Sequence, residues 1–198
     1  MLKADMEFML KSVYRKIYLN NKRVQMLECL PKNGVGAEIG VFTGEFSKLL
    51  LKCLTPRELY LIDPWWKKHG ERFPWVDNSR LTPKKAFELT QRRVRPFMSK
   101  TKVEIVVDEA LEYANKIPDR YFDWIYLDTS HSLEATREEL RVFQSKIKEN
   151  GYIAGDDWQP DKSHKHHGVY AAVQEFIRKE PFEIIYAGTA RQWCLRKV

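Results

Sequence analysis

Two short runs carry most of the chemistry in this sequence: Asp128-Thr129-Ser130-His131 and Asp156-Asp157-Trp158. Each follows an apolar stretch, Trp124 to Leu127 in the first case and Tyr152 to Ala154 in the second. Both are therefore expected just beyond the end of a buried strand. If those strands are neighbours, the carboxylates of Asp128, Asp156 and Asp157 converge. Packed like charges are costly unless something neutralises them. A divalent cation such as Mg2+ would do so, because it favours oxygen ligands. His131 at the same rim titrates in the range of a general base. The plainer alternative is that these carboxylates cap helices or bind a ligand directly, with no metal.

Three further segments share that placement. Glu38-Ile39-Gly40-Val41-Phe42-Thr43-Gly44 ends one apolar run and opens a helix. Gly40 and Gly44 permit a tight turn and a close backbone approach to a ligand. The N–H groups of the following helix turn favour negative charge. The same glycines would also serve an ordinary turn. Phe42 stands where GxGxxG keeps its middle glycine, so the loop is not a dinucleotide fingerprint. Asp63 follows at about 20 residues, the place of a carboxylate that accepts from ribose hydroxyls. As Asp63-Pro64 it equally suits a turn. Asp108-Glu109 offers an acceptor for an adenine amino group, or a plain helix N-cap.

The elements that would position these residues alternate along the chain. Residues 35–41 (VGAEIGV), Leu59 to Ile62, Val103 to Val107, Trp124 to Leu127 and Tyr152 to Ala154 read as strands. Between them, helices are predicted at Glu45 to Leu54, from Pro83 to about Phe97, at Ala110 to Lys116, and over 132–148 and 168–179. Phe182 to Tyr186 and Gln192 to Arg196 flank Gly188 and read as a hairpin. This alternation implies a mostly parallel sheet with helices on both faces and an antiparallel addition at the end. In such sheets ligands bind beyond the carboxyl ends of the strands, where the strand order reverses. Ahead of this unit, residues 2–19 and 21–30 carry helical apolar spacing. They form an N-terminal extension, 1–34, that covers either the site or a partner subunit in a homo-oligomer.

The chain has 198 residues, 43% of them hydrophobic, which suits one domain with a sizeable core. No apolar run approaches the roughly 20 residues of a membrane helix. The first residues, MLKADMEFMLKSVYRK, lack the apolar stretch of a secretory signal. Cys29, Cys53 and Cys194 form no paired or zinc spacing, which fits small core residues in a reducing cytoplasm. The net charge of +7 is spread along the chain, with Arg92, Arg93 and Arg95 its densest cluster. It is read as a solvated surface, with attraction of nucleic acid as the alternative.

With these residues in place, the sequence resembles the class I S-adenosylmethionine-dependent methyltransferases, in the group of sugar and small-molecule O-methyltransferases such as the macrocin O-methyltransferase type. The resemblance is carried by AEIGVFTGEFSKLL (37–50), LYLIDPW (59–65), FDWIYLDTSHSLEATREEL (122–140), NGYIAGDDW (150–158) and HGVYAAVQEF (167–176). It implies a Rossmann-like fold over 35–198 with a seven-stranded sheet. It implies that Glu38, Gly40 and Gly44 line the methionine and ribose end of S-adenosylmethionine. Asp63 would bind the ribose, Trp65 would lie near the adenosine, and Asp108 with Glu109 would approach the adenine. Asp128, also near the cofactor, would join Asp156 and Asp157 around a divalent metal, with His131 as base.

The expected reaction is methyl transfer to an oxygen of a small hydroxylated molecule. Transfer to RNA or protein is the alternative. A non-catalytic S-adenosylmethionine-binding module is a further one, and a nicotinamide oxidoreductase is disfavoured by the glycine loop. The segment DKSHKHHG, with His164, His166 and His167, is read as a solvated lid in preference to a second metal site. Trp65, Trp66, Phe73 and Trp75 either wall the acceptor pocket or pin their loop to the core.

Overall fold

A computed structural model describes residues 23–76 and 81–198. The helix predicted over 2–19 lies outside the described residues. Seven strands are present: β1 (Val35–Ile39), β2 (Glu58–Asp63), β3 (Lys102–Val107), β4 (Phe122–Leu127), β5 (Ile147–Gly155), β6 (Phe182–Ala187) and β7 (Trp193–Lys197). They form one sheet in the order β3-β2-β1-β4-β5-β7-β6. The pairs from β3 through β5 are parallel, while β7 runs antiparallel to both β5 and β6. The antiparallel strand expected at the end of the chain is therefore present. It lies inside the sheet rather than on its edge, which β6 forms instead.

Alternation of apolar side chains along the strands feeds two cores. Ala37, Ile39, Ile62, Ile125 and Leu127 face one side with Leu140, Phe143, Val169 and Val173. Those last four lie on α5 (Leu133–Phe143) and α6 (His167–Ile177), beyond the short α4 (Ala110–Ala114). Leu59, Leu61, Trp124 and Tyr126 face the other side. There they meet Leu50, Leu51 and Leu54 of α1 (Glu45–Leu54) and Ala86 and Val94 of α3 (Pro83–Val94). Met26, Leu27 and Leu30 join this second core. The described start of the chain thus packs on the domain itself. No helix among the described residues is long and apolar enough to cross a membrane.

Local chemistry accounts for most element ends. Thr82 accepts from the Lys85 N–H and Pro83 opens α3, so the helix starts where its first turn needs no donor. Ser132 caps α5 in the same way, accepting from the Ala135 N–H. Three boundaries depart from the sequence reading. The helix predicted over 132–148 stops at Phe143, and β5 begins at Ile147, well before Tyr152. Residues 147–151 instead form an irregular strand entry, with Asn150 at positive φ and a register shift opposite β4. Trp65–His69, read as loop, forms a short helix, α2, packed on α3 through Trp65, Trp66 and Phe87.

The sheet reverses direction of assembly between β1 and β4, and the chain crosses itself tightly there. Asp128 N–H donates to the Ile39 carbonyl at 2.8 Å. Gly40 has φ +87°, and a Cβ on it would stand 1.9 Å from the Asp128 carbonyl oxygen. A Gly40→Ala substitution must therefore push β1 and β4 apart at their carboxyl ends. We expect a loss of about 4 kcal/mol, or roughly 10 °C in thermal midpoint, measured by calorimetry.

Candidate active site

The carboxyl ends of β1, β4 and β5 lie side by side and carry Gly40, Asp128 and the Asp156-Asp157 pair. The loop after β1 is shaped by one carboxylate. Asp63, at the end of β2, accepts from the N–H groups of Val41 at 2.9 Å and Phe42 at 2.8 Å through Oδ2. Its Oδ1 accepts from the Trp65 N–H at 2.8 Å. Phe42 sits at φ +55°, the left-handed region that a glycine would occupy more easily. Its carbonyl accepts from Trp65 Nε1 at 2.8 Å, so both faces of the strained peptide are held. Arg93 closes the loop from outside, donating to the Thr43 carbonyl and to Glu45, each at 2.5 Å.

Beneath this loop, Glu38 is 1% exposed and accepts a hydrogen bond from the Ser47 hydroxyl. Burial, with the charges of Asp128 and Asp63, raises its pKa well above the usual carboxylate range. Asp108, after β3, is bracketed by Lys116 at 2.7 Å and by Lys67. Those two ammonium groups hold its carboxyl well below the ordinary value. Asp108 Oδ1 also accepts from the Glu109 N–H, while the Glu109 carboxylate pairs with Lys68 at 3.1 Å.

The β4–β5 rim is acidic and differently neutralised at each position. Asp156 forms an ion pair with Arg23 and accepts from Gln192 Nε2 and from the Asp157 N–H, both at 2.7 Å. Gln192 is oriented in turn by the Tyr126 hydroxyl at 2.7 Å. Asp157 Oδ2 lies 3.0 Å from His131 Nδ1 and 2.6 Å from His166 Nδ1, and its Oδ1 lies 3.2 Å from Arg191. His131 Nε2 faces Asp128 Oδ1 at 3.8 Å. Burial and the Asp156 charge push the Asp128 carboxyl up to about 8. Burial lowers the His131 pKa against the pull of Asp157, so its imidazole is neutral at pH 7. Both His131 and Asp157 have left-handed backbone, at φ 60° and 61°.

A family model of the methyltransferase domain matches residues 37–158, more than half of the chain. The chain belongs to this methyltransferase family. It is a class I, S-adenosylmethionine-dependent enzyme. No curated protein sequence matches it. Among solved structures, a Corynebacterium glutamicum protein shares its fold with a TM-score of 0.62 at 15% identity, over 89% of this chain and 79% of that one. A Methanococcus maripaludis protein described as an S-adenosyl-L-methionine-dependent methyltransferase gives 0.57 at 17% identity, over 98% and 90%. Aeropyrum pernix fibrillarin, with natively bound S-adenosyl-L-methionine, gives 0.55 at 12%, over 84% and 66%.

In this methyltransferase the residues singled out from the sequence fall into two groups. Glu38, Gly40, Gly44, Asp63, Asp128, His131, Asp156 and Asp157 gather at the carboxyl ends of β1, β2, β4 and β5. Trp65 is fully buried, and its Nε1 supports the loop through the Phe42 carbonyl. Phe73 is also buried, whereas Trp75 is 60% exposed, so the aromatic segment is pinned to the core at two points. Of the histidine loop, His166 turns inward and stacks on His131, with ring centroids 4.9 Å apart.

Arg23, Gln192, Lys67 and Lys116 escaped the sequence reading. Charged residues on predicted helices normally signal solvent, and a lone glutamine entering a strand signals nothing.

A further buried acid lies beside the rim. Glu139, 6% exposed, accepts from the Thr129 hydroxyl at 2.8 Å. Burial raises its pKa from 4.5 to about 7, the Thr129 bond opposing. The folded chain thus binds this proton more tightly than the unfolded chain. That contribution is complete below pH 4.5 and disappears as the pH rises through 7. It amounts to about 3 kcal/mol at most. Glu139→Gln keeps the neutral shape, so its thermal midpoint should fall less between pH 5 and pH 8 than the parent's. Parallel midpoint curves for the two proteins would remove Glu139 from the pH dependence.

Proposed function

We propose that this methyltransferase transfers the methyl group of S-adenosylmethionine to a hydroxyl oxygen of a small molecule of the sugar or natural-product type. The observation that carries this reading is the His131–Asp128 pair. A neutral imidazole, with the Asp128 carboxyl 3.8 Å from its Nε2, stands at the end of β4, beside the loop that follows β1. A hydroxyl acceptor needs a base at that place.

In this reading the cofactor lies across the carboxyl ends of β1, β2 and β3. Its methionine carboxylate meets the first turn of α1, where Gly44 supplies no side-chain cap. Gly40 allows the backbone to approach closely. Glu38 and Asp63 set the floor and edge of the ribose end, and Trp65 keeps the loop in shape. Asp108 and Glu109 form the adenine end, with the lysines around them holding both in place.

The sulfonium already activates the methyl group, so the enzyme's main task is alignment. The acceptor oxygen approaches in line with the S–CH3 bond. Its proton passes to the His131 imidazole as the O–C bond forms. The S–C bond breaks with its electron pair on sulfur, leaving the neutral thioether S-adenosylhomocysteine.

The Mg2+ reading from the sequence groups Asp128, Asp156 and Asp157. Here Asp156 is already committed to Arg23 and Gln192. Those three carboxylates fit a shared Mg2+ only with Arg23 withdrawn, and no step above passes through one. The RNA reading gains little from Arg93, whose guanidinium is spent on the loop.

Radiolabelled S-adenosylmethionine offered with a panel of sugars and phenols tests the assignment. Label in an O-methyl product is expected, and label only in RNA or protein would overturn it. His131→Ala should lower turnover at least about 100-fold while leaving S-adenosylhomocysteine affinity within about twofold, measured by calorimetric titration. Asp63→Asn should show the reverse emphasis. It presents a donor to the N–H groups of Val41 and Phe42, and should weaken that affinity by about tenfold or more.

A further inference from the structure

The structure assigns a divalent-cation site to His131, Asp157 and His166, distinct in ligand set from the three aspartates. One ring nitrogen each of His131 and His166 and a carboxylate oxygen of Asp157 lie within 4.8 Å of one another. Both imidazole nitrogens approach the same oxygen, Asp157 Oδ2, at 3.0 and 2.6 Å. Ligands bound to one ion at 2.0–2.1 Å stand roughly 3 Å apart, so this spacing already suits a shared cation.

A second observation points the same way. His166 Nδ1 is fully buried and makes no hydrogen bond of acceptable geometry, although Asp157 Oδ2 is only 2.6 Å away. A buried polar atom with no partner is costly, and a cation between the three atoms would satisfy it.

The surroundings are arranged as for a ligand set. His131 and Asp157 hold left-handed backbone, a strain that turns both side chains inward. His131 turns its other nitrogen, Nε2, toward Asp128 at 3.8 Å, which leaves Nδ1 on the side of Asp157. Arg191 takes the second oxygen of Asp157, which leaves Oδ2 for the site. Asp156 is drawn away by Arg23 and Gln192.

Two imidazoles and one carboxylate favour Zn2+, Co2+, Mn2+ or Fe2+ over Mg2+ or Ca2+, which favour all-oxygen shells. Three protein ligands also leave coordination positions open. Resting on the reading that a hydroxyl acceptor arrives at this rim, the open position binds its oxygen and acidifies it. With a cation held by His131 Nδ1, the added positive charge would favour an ionised Asp128, which would then be the group left to take the acceptor's proton. The oxygen then forms its bond to the methyl carbon, and the S–C electron pair stays on sulfur.

The test uses the full chain, stripped with chelator and titrated with Co2+ at neutral pH. Visible absorption saturating at one equivalent, with paramagnetically shifted proton signals from two imidazoles, is expected. His166→Ala should weaken Co2+ affinity by about 100-fold or more, and Asp128→Asn by about tenfold. Lys162→Ala, exposed on the same loop, should change nothing. Absence of imidazole signals in the parent protein would overturn the site without any variant. So would a Co2+ affinity that Asp156→Asn abolishes and His166→Ala leaves intact. Co2+ binding with two imidazole ligands upholds the site even if no small hydroxylated molecule is methylated, which would instead defeat the proposed acceptor class.

Discussion

The arrangement of this methyltransferase depends on the Asp63 carboxylate. It stands at the end of β2 yet spends its two oxygens on three backbone N–H groups, two from the loop after β1 and one from the start of α2. Left-handed backbone at a residue such as Phe42 costs about 1–2 kcal/mol. Charge-assisted hydrogen bonds of about 1.5–3 kcal/mol each outweigh that. The result is a loop of fixed shape without the glycine its conformation would ordinarily call for. Trp65 and Arg93 then brace it from below and outside.

The same logic of local compensation runs across the whole rim. Asp108 is balanced by two lysines, Asp156 by an arginine and an amide, and Asp157 by an arginine with two imidazoles against its other oxygen. The last of these differs from the others in that imidazole nitrogens can also bind a cation directly. Among the described residues no ion pair is made by Glu38 or Glu139, and burial raises the pKa of both. Acidic residues of one type thus occupy three electrostatic regimes within a few strand ends.

Much of this was legible in the sequence. Apolar runs that alternate with helical spacing located every strand of the sheet, because buried parallel strands must be continuously apolar. Acidic residues just past those runs marked the site, since only the strand ends open to ligand. What could not be read were partners set by tertiary approach. Arg23 lies 133 positions from Asp156 and looks like a surface residue of an amphipathic stretch. His166 sits in a polar run whose composition says loop, and only its packing against His131 turns it inward. The early start of β5 was hidden by Lys148, Glu149 and Asn150, whose types favour helix or turn while the pairing of Ile147 with Phe122 favours strand.

The position of β7 has a consequence for how the site comes into being. β7 follows β6 in the chain but lies between β5 and β6 in the sheet, so β6 has no edge to join until β7 has docked. β7 also delivers Gln192 and Trp193, whose side chains bond the carboxylate and the carbonyl of Asp156. A nascent or refolding chain can therefore assemble β1 to β5 and most of both cores while Asp156 still lacks these partners. The acidic rim becomes complete only with that late, long-range insertion. Completion of the rim therefore depends on the C-terminal strand pair as well as on the parallel strands that carry its aspartates.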